Sequence, residues 1–234
     1  MKMESPKGSK DNSIHLWRVS LDRPDREVQR LKKLLSADEL ERAQRFYSYR
    51  EREHYLAARG CLREILSSYI KEEPGEIQFV SGERGKPLLF FCKQQIHFNL
   101  SHSGDYALVA VSVDREVGVD LEKLRPLKHA DAILERFFSV EERAGIEAGE
   151  IFDDRTSRFF RIWSRIEALA KAKGVAVTDI DESLSSILIS AEGDIYSAGS
   201  WIARDIDPFP GYVGALCTEG RSLHVCYRDF STGL

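Results

Sequence analysis

The 234-residue sequence predicts an α+β fold made of two similar α/β halves, related by a pseudo-twofold axis, with a site in the cleft between them. Two observations lead to this prediction. Strand patterns and long amphipathic helix patterns follow one another in the same order twice. A short echo accompanies them, since "RVSLDRP" and "RFYS" early in the chain resemble "VDLEKLRP" and "RFFS" in its second part.

The first half is predicted to begin with a strand at residues 14–21, where apolar residues alternate with polar ones. A helical pattern covers residues 25–35, and the Ser36–Glu39 segment is a capping box that opens the next helix. A longer helix with one apolar face is predicted for residues 50–70. Four strands complete the half, near residues 77–80, 87–91, 96–99 and 106–113.

The second half is predicted to begin with a strand at residues 116–124. One helix follows from about residue 130 to the "RFFS" motif, and another covers residues 153–173 and ends at Gly174, a residue suited to closing a helix. Strand patterns separated by Gly and Asp-Pro turns fill the remainder. We therefore predict a disordered polar tail at residues 1–13, an N-terminal half at 14–113 and a C-terminal half at 114–234.

Composition argues against several classes of protein. The net charge of −4 gives no basis for broad nucleic-acid binding, and no apolar run approaches the roughly 20 residues of a membrane span. The start of the chain lacks the apolar core of a signal peptide. The four cysteines show no CxxC spacing, which favours reduced core thiols over a metal site or disulfides. We expect a cytoplasmic protein.

Two carboxylates in "EVGVDLEKLRP" are candidates for a metal site. Asp120 and Glu122 lie two residues apart on a predicted strand, so both project from the same face. Like charges side by side repel unless a cation lies between them, and Mg²⁺ is commonly bound by a few carboxylates together with phosphate oxygens. The alternative is a solvated polar face, with Lys123 and Arg125 as ion-pair partners.

A second candidate lies in the helix "IWSRIEALAKAKG". Glu167 and Lys171 are four residues apart at the margin of an apolar stripe formed by Trp163, Ile166 and Ala170. A side chain at such a margin can be partly buried and still reach a cleft. The alternative is an ordinary surface ion pair that contributes about 0.2–0.5 kcal/mol.

Three further segments carry groups that could bind phosphate. "FNLSHSGD" presents Ser101 and His102, unless it is a hairpin turn whose serines satisfy their own backbone. In "SGERGKP" two glycines frame a turn that presents Arg84 and Lys86, unless it is a charged hairpin tip. The arginine-rich residues 41–63 form either an anion-binding surface or solvated helix faces.

Taken together and in this order, the motifs resemble the 4′-phosphopantetheinyl transferases, of the larger, pseudo-dimeric (surfactin-synthetase-activating) type made of two fused similar halves. The resemblance spans roughly residues 14–227. The matching segments are "GKP" (85–87), "FNLSHSGD" (98–105), "VGVDLEKLRP" (117–126), "RFFS" (136–139) and "WSRIEALAKAKG" (163–174).

The resemblance implies transfer of 4′-phosphopantetheine from coenzyme A to a serine of an apo acyl or peptidyl carrier protein, releasing adenosine 3′,5′-bisphosphate. It implies a Mg²⁺ ion, with Mn²⁺ as a substitute, held by Asp120, Glu122 and Glu167. Glu167 would also be the base, and Lys171 would stabilise the pyrophosphate. Coenzyme A would be bound by Arg42, Lys86, Ser101, His102 and Asp120. A monomer is expected.

One position departs from the family pattern. A lysine usually precedes the metal-binding glutamate, and here that residue is Ile166. Loss of this ammonium could raise the pKa of Glu167 or weaken phosphate neutralisation, and Arg165 could replace it only if its side chain wraps round the helix. Two alternatives to an active transferase follow: a coenzyme A- or carrier-binding protein with weak or lost activity, and a Mg²⁺-dependent phosphoesterase.

Overall fold

The computed structural model describes residues 13–82, 85–90, 95–126, 140, 143, 152–181, 184 and 195–231. Within them lie four α-helices: α1 (Asp25–Lys32), α2 (Ala37–Gln44), α3 (Tyr49–Ile70) and α4 (Phe152–Lys173). Ten strands accompany them: β1 (Ser13–Ser20), β2 (Phe79–Ser81), β3 (Pro87–Leu89), β4 (Ile96–Ser103), β5 (Tyr106–Val113), β6 (Val117–Lys123), β7 (Ile195–Ala198), β8 (Trp201–Ile206), β9 (Tyr212–Glu219) and β10 (His224–Asp229).

Two four-stranded sheets form the two halves. The first has the strand order β10-β1-β5-β4 and the second the order β6-β9-β8-β7. In each sheet the opening strand pairs antiparallel with a strand that follows the long helix, so β1-β5-β4 with α3 matches β6-β9-β8 with α4. The α+β fold with two similar halves is therefore confirmed.

The halves stack as four layers, with α3 outside the first sheet and α4 outside the second. Strands β5 and β9 are buried along almost their whole length, because each sheet is covered on both faces. The core between the sheets contains Leu16, Leu108, Val119 and Leu216, among others. Outside it, α3 packs through Cys61, Leu62 and Ile65, and α4 through Ala168, Leu169 and Ala172.

Local signals set most helix ends as predicted. The capping box at Ser36 and Glu39 is present, and Gly174 follows α4 with a φ of 67°, in the left-handed region that favours glycine. The first helix is shorter than predicted. It ends at Lys32 because residues 33–35 close in a turn, where the N–H of Leu35 donates to the carbonyl of Lys32 at 3.2 Å.

The last described strand returns to the first sheet. β10 pairs parallel with β1, and Ile14 lies opposite Val225. The division at residues 113/114 stays a prediction, but residues 224–229 lie in the sheet of the first half. The predicted helix at 130–139 with its "RFFS" motif, Arg84, and residues 1–12 of the predicted tail all lie outside the described residues.

The thiols fit the predicted core in part. Burial raises the pKa of Cys61 and of Cys217 to about 12, so both stay protonated at neutral pH. Cys226 is exposed on β10, so the prediction of a core thiol is wrong there, and Cys92 lies outside the described residues. No helix among the described residues is long and apolar enough to cross a membrane.

Candidate active site

Strand β6 carries Asp120 and Glu122 on the face that packs against α4. Its other face, formed by Val117, Val119 and Leu121, is buried in the core between the sheets, so the alternation predicted from the sequence is confirmed. Asp120 is buried, whereas Glu122 lies nearer the end of the strand and is half-buried.

Helix α4 lies directly on this strand and brings Lys171 to the carboxylates. Lys171 Nζ donates to Asp120 Oδ1 at 2.5 Å and to Ser101 Oγ at 3.2 Å. Glu167 lies one turn earlier on the helix, close enough for its charge to interact with Lys171, Asp120 and Glu122. Three carboxylates and one ammonium from two elements therefore share one region of the molecule.

The first half contributes strand β4 to the same region. Ser101 Oγ donates to Asp120 Oδ1 at 3.0 Å, and Ser103 Oγ donates to Glu122 Oε2 at 3.3 Å. The same two hydroxyls accept from backbone N–H groups of β6 rather than satisfying their own backbone. The proposed hairpin turn is therefore placed too early, since β4 extends to Ser103 and the turn follows it.

The local electrostatics favour an added cation. Burial raises the pKa of Glu122, and the Asp120 carboxylate raises it further against the opposing charge of Arg125. Burial likewise raises the pKa of Glu167, with Lys171 lowering it and the two other carboxylates raising it. One ammonium thus only partly offsets the repulsion among three carboxylates.

His102 stands beside this cluster, on the opposite face of β4 from Ser101. It is exposed to solvent, yet the surrounding protein lowers its pKa, and the positive charges of Lys171 and His54 lower it further. The imidazole is therefore open to solvent and lies within electrostatic reach of the Lys171 ammonium. A neutral imidazole there can gain a proton when a phosphate group approaches.

Lys86 lies elsewhere, at the far end of α4. Its Nζ donates to Glu116 Oε2 at 2.6 Å and to the carbonyl of Ala172 at 2.8 Å, and His97 Nδ1 lies 3.0 Å from the other Glu116 oxygen. The side chain is buried against the helix end, so it is not the tip of a solvated hairpin. A cleft of about 330 Å³ opens beside it, lined by Lys173, Trp201 and Glu219 among others.

The arginines of residues 41–63 divide into two groups. Arg42 and Arg45 are exposed on or just after α2, Arg42 near Tyr55 and Arg45 beside Glu41. Arg63 is fully buried and Arg59 nearly so, and both bind the buried carboxylate of Glu39. Arg42 and Arg45 thus lie on solvated faces, Arg59 and Arg63 fix α2 to α3, and the anion-binding surface stays a prediction. The structure does not show Arg42 in contact with the carboxylate cluster.

Ile166 has an apolar environment of its own. It is 3% exposed and packs with Phe159, Phe160, Ile162 and Val213. Arg165 does not take the place of the missing lysine, because its guanidinium binds both oxygens of Asp205 at 2.8 Å and the hydroxyl of Tyr196 at 2.6 Å. The predicted apolar stripe of the helix is confirmed.

A metal site was predicted from Asp120, Glu122 and Glu167. In the part of the chain that the structure describes, no three His, Cys, Asp or Glu side chains are grouped as a metal ion would require. The donor chemistry nevertheless fits a hard divalent cation, because all three are carboxylates, and burial together with the neighbouring carboxylates raises the pKa of Glu122 and of Glu167. Among the described residues, the buried Asp120 Oδ2 has no hydrogen-bond partner.

Comparison with known proteins relates both halves to one family. A family model described as "4′-phosphopantetheinyl transferase, N-terminal" matches residues 20–114, and one described as "4′-phosphopantetheinyl transferase superfamily" matches residues 116–213. The chain is 36% identical over 212 residues to the 4′-phosphopantetheinyl transferase HetI of Nostoc sp., covering 89% of each protein. It is 27% identical over 211 residues to the 4′-phosphopantetheinyl transferase Sfp of Bacillus subtilis, covering 87% of this chain and 92% of the relative.

Proposed function

Since the chain belongs to the 4′-phosphopantetheinyl transferases, we propose that it moves 4′-phosphopantetheine from coenzyme A to a serine hydroxyl of an apo acyl or peptidyl carrier protein at the cluster of Asp120, Glu122, Glu167 and Lys171. One observation supports this assignment above the others. Lys171 of α4 reaches Asp120 of β6 and Ser101 of β4, which brings groups from both halves to one point.

The reaction needs charge neutralisation and positioning more than covalent help. The serine oxygen attacks phosphorus in the pyrophosphate of coenzyme A, a new oxygen–phosphorus bond forms, and the bond to adenosine 3′,5′-bisphosphate breaks. Lys171 supplies a positive charge to the pyrophosphate and to the departing bisphosphate. To do so it exchanges part of its contact with Asp120 for a phosphate oxygen.

Glu167 takes the proton of the carrier serine, directly or through one water molecule. Its burial and the two neighbouring carboxylates raise its pKa, which brings its proton affinity closer to what a base at neutral pH requires. No described group donates a hydrogen bond to its carboxylate, so its oxygens are available to a substrate.

Asp120, Glu122 and Glu167 hold Mg²⁺, or Mn²⁺ in its place, in the working enzyme. The bound ion supplies charge neutralisation and polarisation of the pyrophosphate. The orphaned Asp120 Oδ2 and the raised pKa values of Glu122 and Glu167 support this proposal.

Coenzyme A is bound by Arg42, Lys86, Ser101, His102 and Asp120. His102, exposed and within electrostatic reach of Lys171, is suited to a phosphate group. Lys86 and Ser101 are already engaged within the protein, so their contacts with coenzyme A require rearrangement. The exposed Arg42 is placed to attract an anion before it reaches the cluster.

The carrier protein, the oligomeric state and the cellular compartment complete the proposal. Carrier domains are typically acidic, so the exposed arginines on and after α2 steer their approach. The enzyme works as a monomer, since one chain supplies both halves of the cluster. It works in the cytoplasm, where thiols such as Cys61 and Cys217 stay reduced. Nothing in the geometry favours a binding protein without transferase activity, because the groups required for transfer are all present.

The test is to incubate the protein with coenzyme A, Mg²⁺ and an apo-carrier and to weigh the carrier by mass spectrometry. We expect a phosphopantetheine increment, lost in Glu167→Gln and kept in Glu72→Gln, an exposed carboxylate just after the end of α3. An unmodified carrier with every apo-carrier class overturns the proposal. Free bisphosphate without carrier modification would instead indicate a phosphoesterase.

A further inference from the structure

The two halves meet along a seam in which side chains of β4 replace a backbone ladder. The outer edge of β6 presents the N–H groups of three alternate residues to β4. Each donates to a side-chain oxygen there: Val119 to Asn99 Oδ1 at 2.9 Å, Leu121 to Ser101 Oγ at 3.2 Å, and Lys123 to Ser103 Oγ at 3.1 Å. The match of three residues with three follows from the period of two on both strands.

Two of the three seam residues also contact a carboxylate. Ser101 Oγ donates to Asp120 Oδ1 at 3.0 Å, and Ser103 Oγ donates to Glu122 Oε2 at 3.3 Å. A hydroxyl has one proton, and its lone pairs accept the backbone N–H, so the proton is left for the carboxylate. Asn99 forms the same kind of bond to β6, but the residue before its partner is Gly118, which has no side chain to orient.

We infer that Ser103, together with Ser101, is a positioning residue: from the first half of the chain it fixes the direction in which a carboxylate of the second half points. This inference rests on the proposed function, since a fixed direction matters for a ligand held by Glu122 and Asp120. Ser103 is the more informative of the two, because it is half-buried at the rim and no role in coenzyme A binding is proposed for it.

The oxygen and the proton of each serine hydroxyl have different partners. The bond from the β6 backbone anchors the hydroxyl oxygen, and the hydroxyl proton then holds one carboxylate oxygen, which Arg125 also contacts in Glu122 and Lys171 in Asp120. The other oxygen of each carboxylate is left for a ligand, and Asp120 Oδ2 is buried without a hydrogen-bond partner among the described residues. Supporting hydrogen bonds of this kind commonly change activity or metal affinity by 10–100-fold when removed.

The experiment compares Ser103→Ala with Ser103→Thr, which keeps the hydroxyl on a strand that favours β-branched residues. We expect Ser103→Ala to lower kcat about 10-fold while KM for coenzyme A stays within about 2-fold, and Ser103→Thr to restore most of kcat. Affinity for Mn²⁺ alone, followed by the electron paramagnetic resonance signal of the free ion, should fall about 10-fold in Ser103→Ala.

Asn99→Ala tests whether the seam bonds orient carboxylates or only hold the two halves together, because it removes a seam bond that orients no carboxylate. We expect it to lower Tm without the kcat loss of Ser103→Ala. The inference is overturned if Ser103→Ala keeps wild-type kcat and Mn²⁺ affinity, if Asn99→Ala loses as much kcat, or if the wild type binds no Mn²⁺. A wild type that binds Mn²⁺ but modifies no carrier overturns the proposed function alone.

Discussion

Gly118 allows α4 to lie directly on β6, and adding a single methyl group there should separate the two elements. A Cβ at this position would lie within 2.9 Å of three backbone atoms of α4: Ala168 O, Ala172 N and Ala172 Cα. Ordinary contacts begin at 3.4 Å. Backbone atoms of a packed helix cannot rotate away as a flexible side chain can, so Gly118→Ala must displace the C-terminal part of α4.

The size of the effect follows from this geometry. Clearing the Ala172 Cα requires about 0.5 Å, and clearing the carbonyl oxygen and the amide nitrogen, which are nearer, requires about 1 Å. Overpacking of this kind costs up to about 3 kcal/mol in the free energy of unfolding. Because α4 carries Glu167 and Lys171, the same movement shifts both against Asp120, and a misplacement of about 1 Å can lower a rate about 100-fold.

Two measurements check the prediction: kcat from the mass-detected transfer assay and Tm from thermal unfolding. Gly118→Ala should lower both, kcat by about 100-fold and Tm by about 6–12 °C. Gly75→Ala is the matched control, because a Cβ at Gly75 meets nothing within 4 Å, and it should change neither quantity. Wild-type kcat in a folded Gly118→Ala variant would refute the argument that close packing of α4 sets the geometry of the site.

Three further predictions concern charges and the unusual isoleucine. Lys171→Ala should lower kcat about 100-fold in the transfer assay, whereas the exposed Lys173→Ala should not. Glu39→Gln, which unpairs the buried Arg63, should lower stability by about 3 kcal/mol in urea unfolding. Burial opposes ionisation of Glu39, but Arg59, the Ser36 N–H and Arg63 outweigh it and lower the pKa of Glu39. The contribution of this carboxylate to the free energy of unfolding should therefore be present above pH 4.5 and decline as the pH falls through that lowered pKa. Ile166→Lys should raise kcat/KM for coenzyme A by adding an ammonium beside Glu167 while lowering Tm, and an unchanged kcat/KM would show that no lysine is missed there.

The sequence predicted the faces on which site residues lie wherever the periodicity of a strand or a helix alone fixes the direction of a side chain. The spacing of Asp120 and Glu122 on a strand, and of Glu167 and Lys171 on a helix, determines the faces on which they lie, and the structure has them on those faces. The internal echo and the order of elements were enough for the two-half fold. These are local signals, and the folded structure agrees with them because burial of the apolar face of each element favours the same arrangement.

What the sequence did not reveal depends on contacts between distant segments. Lys86 directly follows Gly85 in an apparent hairpin tip, yet it binds Glu116 and the end of α4, 30 and 86 residues away. The role of Ser103 is similarly invisible, because its partners lie 19 and 20 residues further on. The alternation of polar residues at 99, 101 and 103 was a usable signal, since a solvated turn has no need of a strict period of two.

The parallel pairing of β1 with β10 has a consequence for how the chain is made. β1 leaves the ribosome first among the described strands and β10 last, so this edge of β1 stays open until β10 has been synthesised. An open edge can pair with another copy of the chain. A nascent chain stopped before residue 224 would therefore expose the edge of β1, whereas in the folded sheet β10 covers β1 and is itself the edge strand, with His224 and Asp229 exposed.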